Sequence, residues 1–196
     1  MNKLVIIGNG FDLAHGLKTR YSDFLLWEIN EAFKQKSQHI ISPLFEVEST
    51  TYNICDQNNN PFQFDKIEDF LKFQKEHQEY IKINYAFPFV GHLIDYANKN
   101  WVDIEREYYE ALIEIYNRKI YSSLDVLNKA MDLIKLELEK YLFTISTKQW
   151  DANLPLEIID IFENDLINSH MENRGENIYF LNFNYTNTII NYTIKF

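Results

Sequence analysis

The sequence predicts an α/β fold, helix-rich overall, in which a parallel sheet carries a large helical insertion. Two observations predict the sheet and one predicts the insertion. Leu4-Val5-Ile6-Ile7 and Ile178-Tyr179-Phe180-Leu181 are short, β-rich apolar runs that read as buried strands. They stand near opposite ends of the chain, and each is followed by polar residues, as expected of parallel strands sharing a ligand edge. Between them, apolar residues recur at spacings of three and four.

Residues 3–7 form the first strand, ended by Gly8-Asn9-Gly10. The chain has only five glycines, and three of them, Gly8, Gly10 and Gly16, lie within this opening, where backbone geometry or a close approach calls for them. Ser22 is placed to cap a helix over 23–36, with Phe24, Leu25, Ile29, Ala32 and Phe33 on one face. Residues 37–64 read as irregular, with Asn58-Asn59-Asn60-Pro61 as their turn. A helix from about Asp65 carries Ile67, Phe70, Leu71 and Gln74, and another covers about 84–99, interrupted or started at Pro88. Trp101, Ile104, Tyr108, Leu112 and Ile115 form one stripe; Ile120, Leu124, Leu127, Met131, Ile134, Leu138 and Tyr141 form a second. The second stripe suits core packing, with an intermolecular coiled coil as the alternative. Pro155 precedes a helix over 156–170, Asn173-Arg174-Gly175 makes a turn, and 178–183 form the last strand.

A formal net charge of −10 argues against a general nucleic-acid surface, which needs clustered Lys and Arg. A single cysteine, Cys55, excludes an intramolecular disulfide framework and zinc fingers and fits a reducing compartment. No metal ligands stand out. No apolar run approaches the roughly 20 residues that span a bilayer, and the four-residue apolar start is too short for a signal-peptide core. The expectation is an acidic, soluble protein of the cytoplasm with no membrane partner.

Chemistry concentrates in three segments. Gly8-Asn9-Gly10 presents backbone N–H groups between a strand and a helix, which suits a pyrophosphate or a plain tight turn; a third dinucleotide-fingerprint glycine is replaced by Leu13. Asp12 is placed to accept from ribose hydroxyls, to cap a helix, or to pair with Arg20, and His15 is either a general acid–base or a structural histidine. Glu105, in Trp101-Val102-Asp103-Ile104-Glu105, is either a first-turn carboxylate favouring the helix dipole or a site residue. Asn182-Phe183-Asn184-Tyr185-Thr186-Asn187-Thr188 offers uncharged donors and acceptors, fit for a sugar or amide, or else a polar turn.

LVIIGNGFDLAHGLKTRYSDF, from Leu4 to Phe24, resembles the opening of the AbiH family of bacterial phage abortive-infection proteins. Trp101 to Glu105 resembles that family's Trp-x-x-x-Glu segment, and Phe183-Asn184-Tyr185-Thr186-Asn187-Thr188 its Phe-Asn-Tyr-Thr-Asp-Thr segment, with Asn187 replacing the usual acid. More distantly the pattern is similar to sirtuin-like Rossmann proteins: Gly8, Gly10 and Gly16 fall at the glycine offsets of their first loop, and Asn184 matches the asparagine that faces the nicotinamide–ribose bond. Thr186 stands where those proteins have aspartate, and no His-Gly follows Asn184 before Phe196. On that resemblance the chain reads as a truncated or degenerate copy, which leaves open whether it keeps the activity.

The resemblance implies a Rossmann-like (sirtuin-like) sheet in a single domain over 1–196. Its nucleotide-binding core would be drawn from about 1–36 and 171–196, with a helical lobe over about 65–170. It implies Gly8, Asn9, Gly10, Phe11, Asp12, Gly16, Tyr185 and Thr186 as nucleotide-binding residues, and Asn184, His15 and Glu105 as catalytic ones. No cofactor is required; NAD or a related nucleotide is the ligand or substrate, and a homo-oligomer or a phage-derived trigger is a compatible partner. Three functions follow: an NAD-type hydrolase, a nucleotide-sensing module without turnover, or a helical interaction protein of a defence system.

Overall fold

A computed structural model describes residues 2–50, 54–97, 104–117, 123–146, 156–162 and 177–193. The chain divides into two compact units, Met1–Thr19 with Leu142–Phe196, and Arg20–Tyr141.

In the first unit, β1 (Lys3–Ile7) pairs in parallel with β5 (Ile178–Asn182), from Lys3 opposite Ile178 to Ile7 opposite Asn182. The Phe183 N–H extends the ladder to the Ile7 carbonyl at 2.8 Å. Short helices follow each strand: α1 (Gly10–Ala14) after β1, and a last single turn, α8 (Ile190–Thr193), after β5. Ile7, Phe162, Ile189 and Tyr192 form the core, with Val5, Phe11 and two residues of α7 (Leu156–Asp160), Ile158 and Ile159, packed against it. The strands are not buried on both faces as expected. Leu4 is 62% exposed and Ile6 64%, and Tyr179, Leu181 and Phe183 are exposed with them. Strand residues alternate faces, and the described core covers only the face of Val5 and Ile7. Among the described residues the parallel sheet has two strands, short of the doubly wound sheet that the sirtuin-like resemblance implies.

The second unit begins with α2 (Tyr21–Phe33), which buries Phe24, Leu25, Ile29, Ala32 and Phe33 as expected. Its cap is not Ser22, which lies in the first turn. Arg20 is the N-cap, and the Asp23 side chain reaches back to accept its N–H at 3.2 Å. Residues 37–64 are not wholly irregular. β2 (His39–Ile41) and β3 (Phe45–Ser49) pair antiparallel across a turn in which the Ser42 hydroxyl oxygen accepts the N–H groups of Leu44 and Phe45. β4 (Ile81–Tyr85) completes an antiparallel sheet in the order β2–β3–β4, so the insertion is not purely helical. Of the two readings of the helix over about 84–99, the start at Pro88 holds, as α4 (Pro88–Ala97), because β4 takes the residues up to Tyr85.

α3 (Ile67–Glu76) sends Ile67, Phe70 and Phe73 into an aromatic core, where the Phe33 ring lies 5.2 Å from Phe64 and 5.6 Å from Phe73. α5 (Ile104–Tyr116) buries Ile104, Glu107 and Ala111; Tyr108, Leu112 and Ile115 are only half-buried, so its inward face is rotated from the expected stripe. Glu107 is tolerated inside because His92, on α4, contacts its carboxylate at 2.8 Å. α6 (Leu124–Ser146) buries Leu127, Ile134 and Tyr141 as expected, along with Ala130 and Glu137, whereas Leu124 is exposed. Trp101, Ile120, the 173–175 turn and residues 163–170 of the expected last helix lie outside the described residues.

Candidate functional site

The site is built where β1 and β5 end side by side. Ile7 opposite Asn182 is the last rung, so the glycine bend after β1 and the asparagine-rich segment after β5 leave the sheet together.

The bend itself is closed by internal bonds. The Phe11 N–H donates to the Gly8 carbonyl at 2.8 Å. Asn9 braces the bend from outside: its amide donates to the Thr19 carbonyl at 3.2 Å, and its oxygen accepts the Thr19 hydroxyl at 2.7 Å. The three glycines separate into two kinds. Gly16 has φ of +74° and ends α1 with its N–H on the Leu13 carbonyl, a conformation that disfavours other residues. Gly8 and Gly10 have no positive φ, and a Cβ built on either meets nothing within 4 Å. The fold does not itself require glycine at those two positions.

Asp12 is fully buried beside them. One carboxyl oxygen, Oδ1, accepts the Thr186 hydroxyl at 2.8 Å and the Thr188 hydroxyl at 2.7 Å, and the two hydroxyl oxygens stand 2.5 Å apart. Neither helix capping nor an ion pair supplies Asp12 with its partners; two threonines at the far end of the sequence do. Asn182 shapes the segment that carries them. Its side-chain oxygen accepts the Asn184 N–H at 3.0 Å, and its amide donates to the Thr186 carbonyl at 3.2 Å.

Three buried side-chain polar atoms among the described residues lack a hydrogen-bond partner: Oδ2 of Asp12, and both Oδ1 and Nδ2 of Asn184. Each such atom costs about 1–3 kcal/mol relative to its hydrated state. The orphaned groups fall on two residues, one on each of the segments that leave the sheet together.

His15 is held at both ring nitrogens. Nδ1 lies 2.6 Å from the Phe11 carbonyl, which only accepts, so Nδ1 donates; Nε2 then accepts the Tyr192 hydroxyl at 2.6 Å. Burial raises the Tyr192 phenol above its usual range, which keeps that proton on the tyrosine. The Phe11 ring lies tilted against His15, with centroids 4.5 Å apart.

The first unit thus brings together Gly8, Asn9, Gly10, Phe11, Asp12, His15, Gly16, Asn184 and Thr186. Tyr185, beside them in sequence, is 41% exposed. Thr186 is buried with its hydroxyl committed to Asp12. Glu105 belongs to the second unit, where it is exposed and accepts the Tyr21 hydroxyl at 3.0 Å. Sequence reasoning named Asn182 and Thr188 only within the polar segment, without a role of their own, and missed Thr19 and Tyr192. Thr186 and Thr188 sit in the bend and turn that follow β5, so no strand alternation pointed to their shared partner. Nothing local connects Tyr192 with a histidine 177 residues earlier.

Among the described residues no helix is long and apolar enough to cross a membrane. Neither a curated protein nor a solved structure matches the chain. The family model described as "Bacteriophage abortive infection AbiH" matches residues 4–194, which take in the glycine bend, Asp12, Asn184 and both threonines. The chain belongs to the AbiH family of bacteriophage abortive infection.

Proposed function

We propose that this protein serves phage abortive infection by binding a nucleotide at the shared end of β1 and β5, through the ribose, with NAD as the first candidate. The observation that carries the reading is the set of unpartnered buried atoms on Asp12 and Asn184. A ribose diol can donate to Asp12 Oδ2 and Asn184 Oδ1 and accept from Asn184 Nδ2. Gly8 and Gly10, whose missing Cβ atoms face open space, leave room for a phosphate to approach the backbone.

The reaction proposed at this site is hydrolysis at the nicotinamide–ribose bond. Water oxygen bonds to the anomeric carbon, the carbon–nitrogen bond breaks with its electron pair going to nicotinamide, and the water's proton passes to solvent. Because the transition state is oxocarbenium-like, a fixed neutral amide such as that of Asn184 helps by orienting and by accepting from the ribose.

A second reading, nucleotide sensing without turnover, is favoured by His15 and Thr186. Both imidazole nitrogens have partners, and the Thr186 hydroxyl is held by Asp12. Calorimetric titration with NAD and ADP-ribose, followed by chromatography for nicotinamide, tests both. Binding lost in Asn184→Ala supports the site, and nicotinamide release separates hydrolysis from sensing. No binding of either compound refutes both.

A further inference from the structure

The outer face of the three-stranded sheet carries a second cluster, unrelated to the site above. The β2–β3 register sets His39 directly opposite Glu48, and Glu46 lies two residues along the same strand, so all three side chains share one face. The other face is anchored by Ile40, Phe45 and Val47, each fully buried. The backbone beneath the cluster is therefore held by the core.

His39 Nε2 lies 3.9 Å from Glu46 Oε2 and 4.0 Å from Glu48 Oε1, and one ligand atom from each residue falls within 4.8 Å of the others. Those separations are too long for hydrogen bonds, yet close to what a shared ion requires. Donors about 2.1 Å from a tetrahedral zinc ion stand about 3.4 Å apart. Small side-chain rotations close the difference, since all three residues are about half exposed. On β4, Asn84 stands opposite Glu46 and Lys82 opposite Glu48, and Lys82 forms no ion pair among the described residues.

We propose that His39, Glu46 and Glu48 form a surface site for a zinc-class divalent cation, with water completing the coordination. Two carboxylates and a neutral imidazole carry a charge of −2, which the Lys82 ammonium across from Glu48 offsets only in part and a divalent ion neutralises. The imidazole nitrogen selects zinc-class ions over magnesium or calcium, which favour all-oxygen sets. Such an ion ties β2 to β3 and stabilises the sheet by mass action.

The test is calorimetric titration of zinc chloride into the full chain at pH 7.5, with magnesium chloride alongside, repeated on His39→Ala and on Glu46→Gln/Glu48→Gln. The expected result is a saturable zinc site that magnesium does not fill, weakened at least tenfold in both variants. Because the replaced side chains are half exposed, both variants keep the wild-type circular dichroism. No saturable zinc binding overturns the proposal. So does zinc binding that survives His39→Ala, which would place the ion on other ligands, and so does binding indifferent to the two glutamates.

Discussion

The Asp12 carboxyl oxygen Oδ1 accepts the Thr188 hydroxyl at 2.7 Å, joining the segment after β1 to the segment after β5 across 176 positions of sequence. With the Thr186 bond at 2.8 Å, it makes one buried oxygen the junction of both ends of the candidate site. Thr188→Val keeps the side-chain shape but removes one donor. The expected loss is about 1–2 kcal/mol in urea unfolding. Asp12→Ala should cost more, because it leaves two buried hydroxyls without their acceptor; equal stability of all three proteins would show that the junction is not formed.

Asn184 should behave in the opposite way. Its amide is buried without partners, so Asn184→Leu removes two desolvated polar atoms and orphans none. The free protein is expected to be unchanged or stabilised by about 1 kcal/mol, while nucleotide binding is lost. A clear drop in melting temperature for this variant would mean that the amide has protein partners after all.

The glycines make a paired comparison. Gly8→Ala and Gly10→Ala introduce a Cβ into open space at ordinary φ, so neither should destabilise the free protein, yet both should weaken nucleotide binding. Gly16→Ala imposes φ of +74° on a residue with a side chain and should cost about 1 kcal/mol in stability. Thermal melts and titrations on the three variants separate ligand approach from backbone conformation.

The second unit should lose stability as pH rises from about 4.5 to about 7. Burial pushes the Glu28 carboxyl from 4.5 up to about 7; the charge of Glu137 adds to this, while the Ser42 hydroxyl and Lys140 oppose it. A carboxyl raised in the folded state contributes fully below its unfolded value and loses that contribution as pH climbs to the folded one. Between about pH 4.5 and 7 the loss is on the order of 3 kcal/mol. Hydrogen exchange of the α2 amides should therefore accelerate from pH 5 to 8 beyond its intrinsic chemical increase, and Glu28→Gln should flatten that excess.

Local pattern was enough for much of the molecule. The apolar run Leu4–Ile7, the stripe from Phe24 to Phe33, the start of α4 at Pro88 and the long stripe through Leu127, Ile134 and Tyr141 each carry their own signal. A helix makes its hydrogen bonds within a few residues, so its face is written in adjacent sequence. The alternation in Phe45-Glu46-Val47-Glu48 was equally readable, but the strand is only five residues long and lies in a stretch that otherwise reads as turn and loop.

What no local pattern contains is register and long-range partnership. That Asp12 meets Thr186 and Thr188 and that Tyr192 holds His15 follow from segments brought together over distances that spacing does not encode, and that His39 faces two glutamates follows from the register of a hairpin. The faces of β1 and β5 make the same point. Their residues announce strands, but whether Leu4 and Tyr179 are covered depends on what packs above them, and only folding in three dimensions settles which side of a pleated sheet the core occupies.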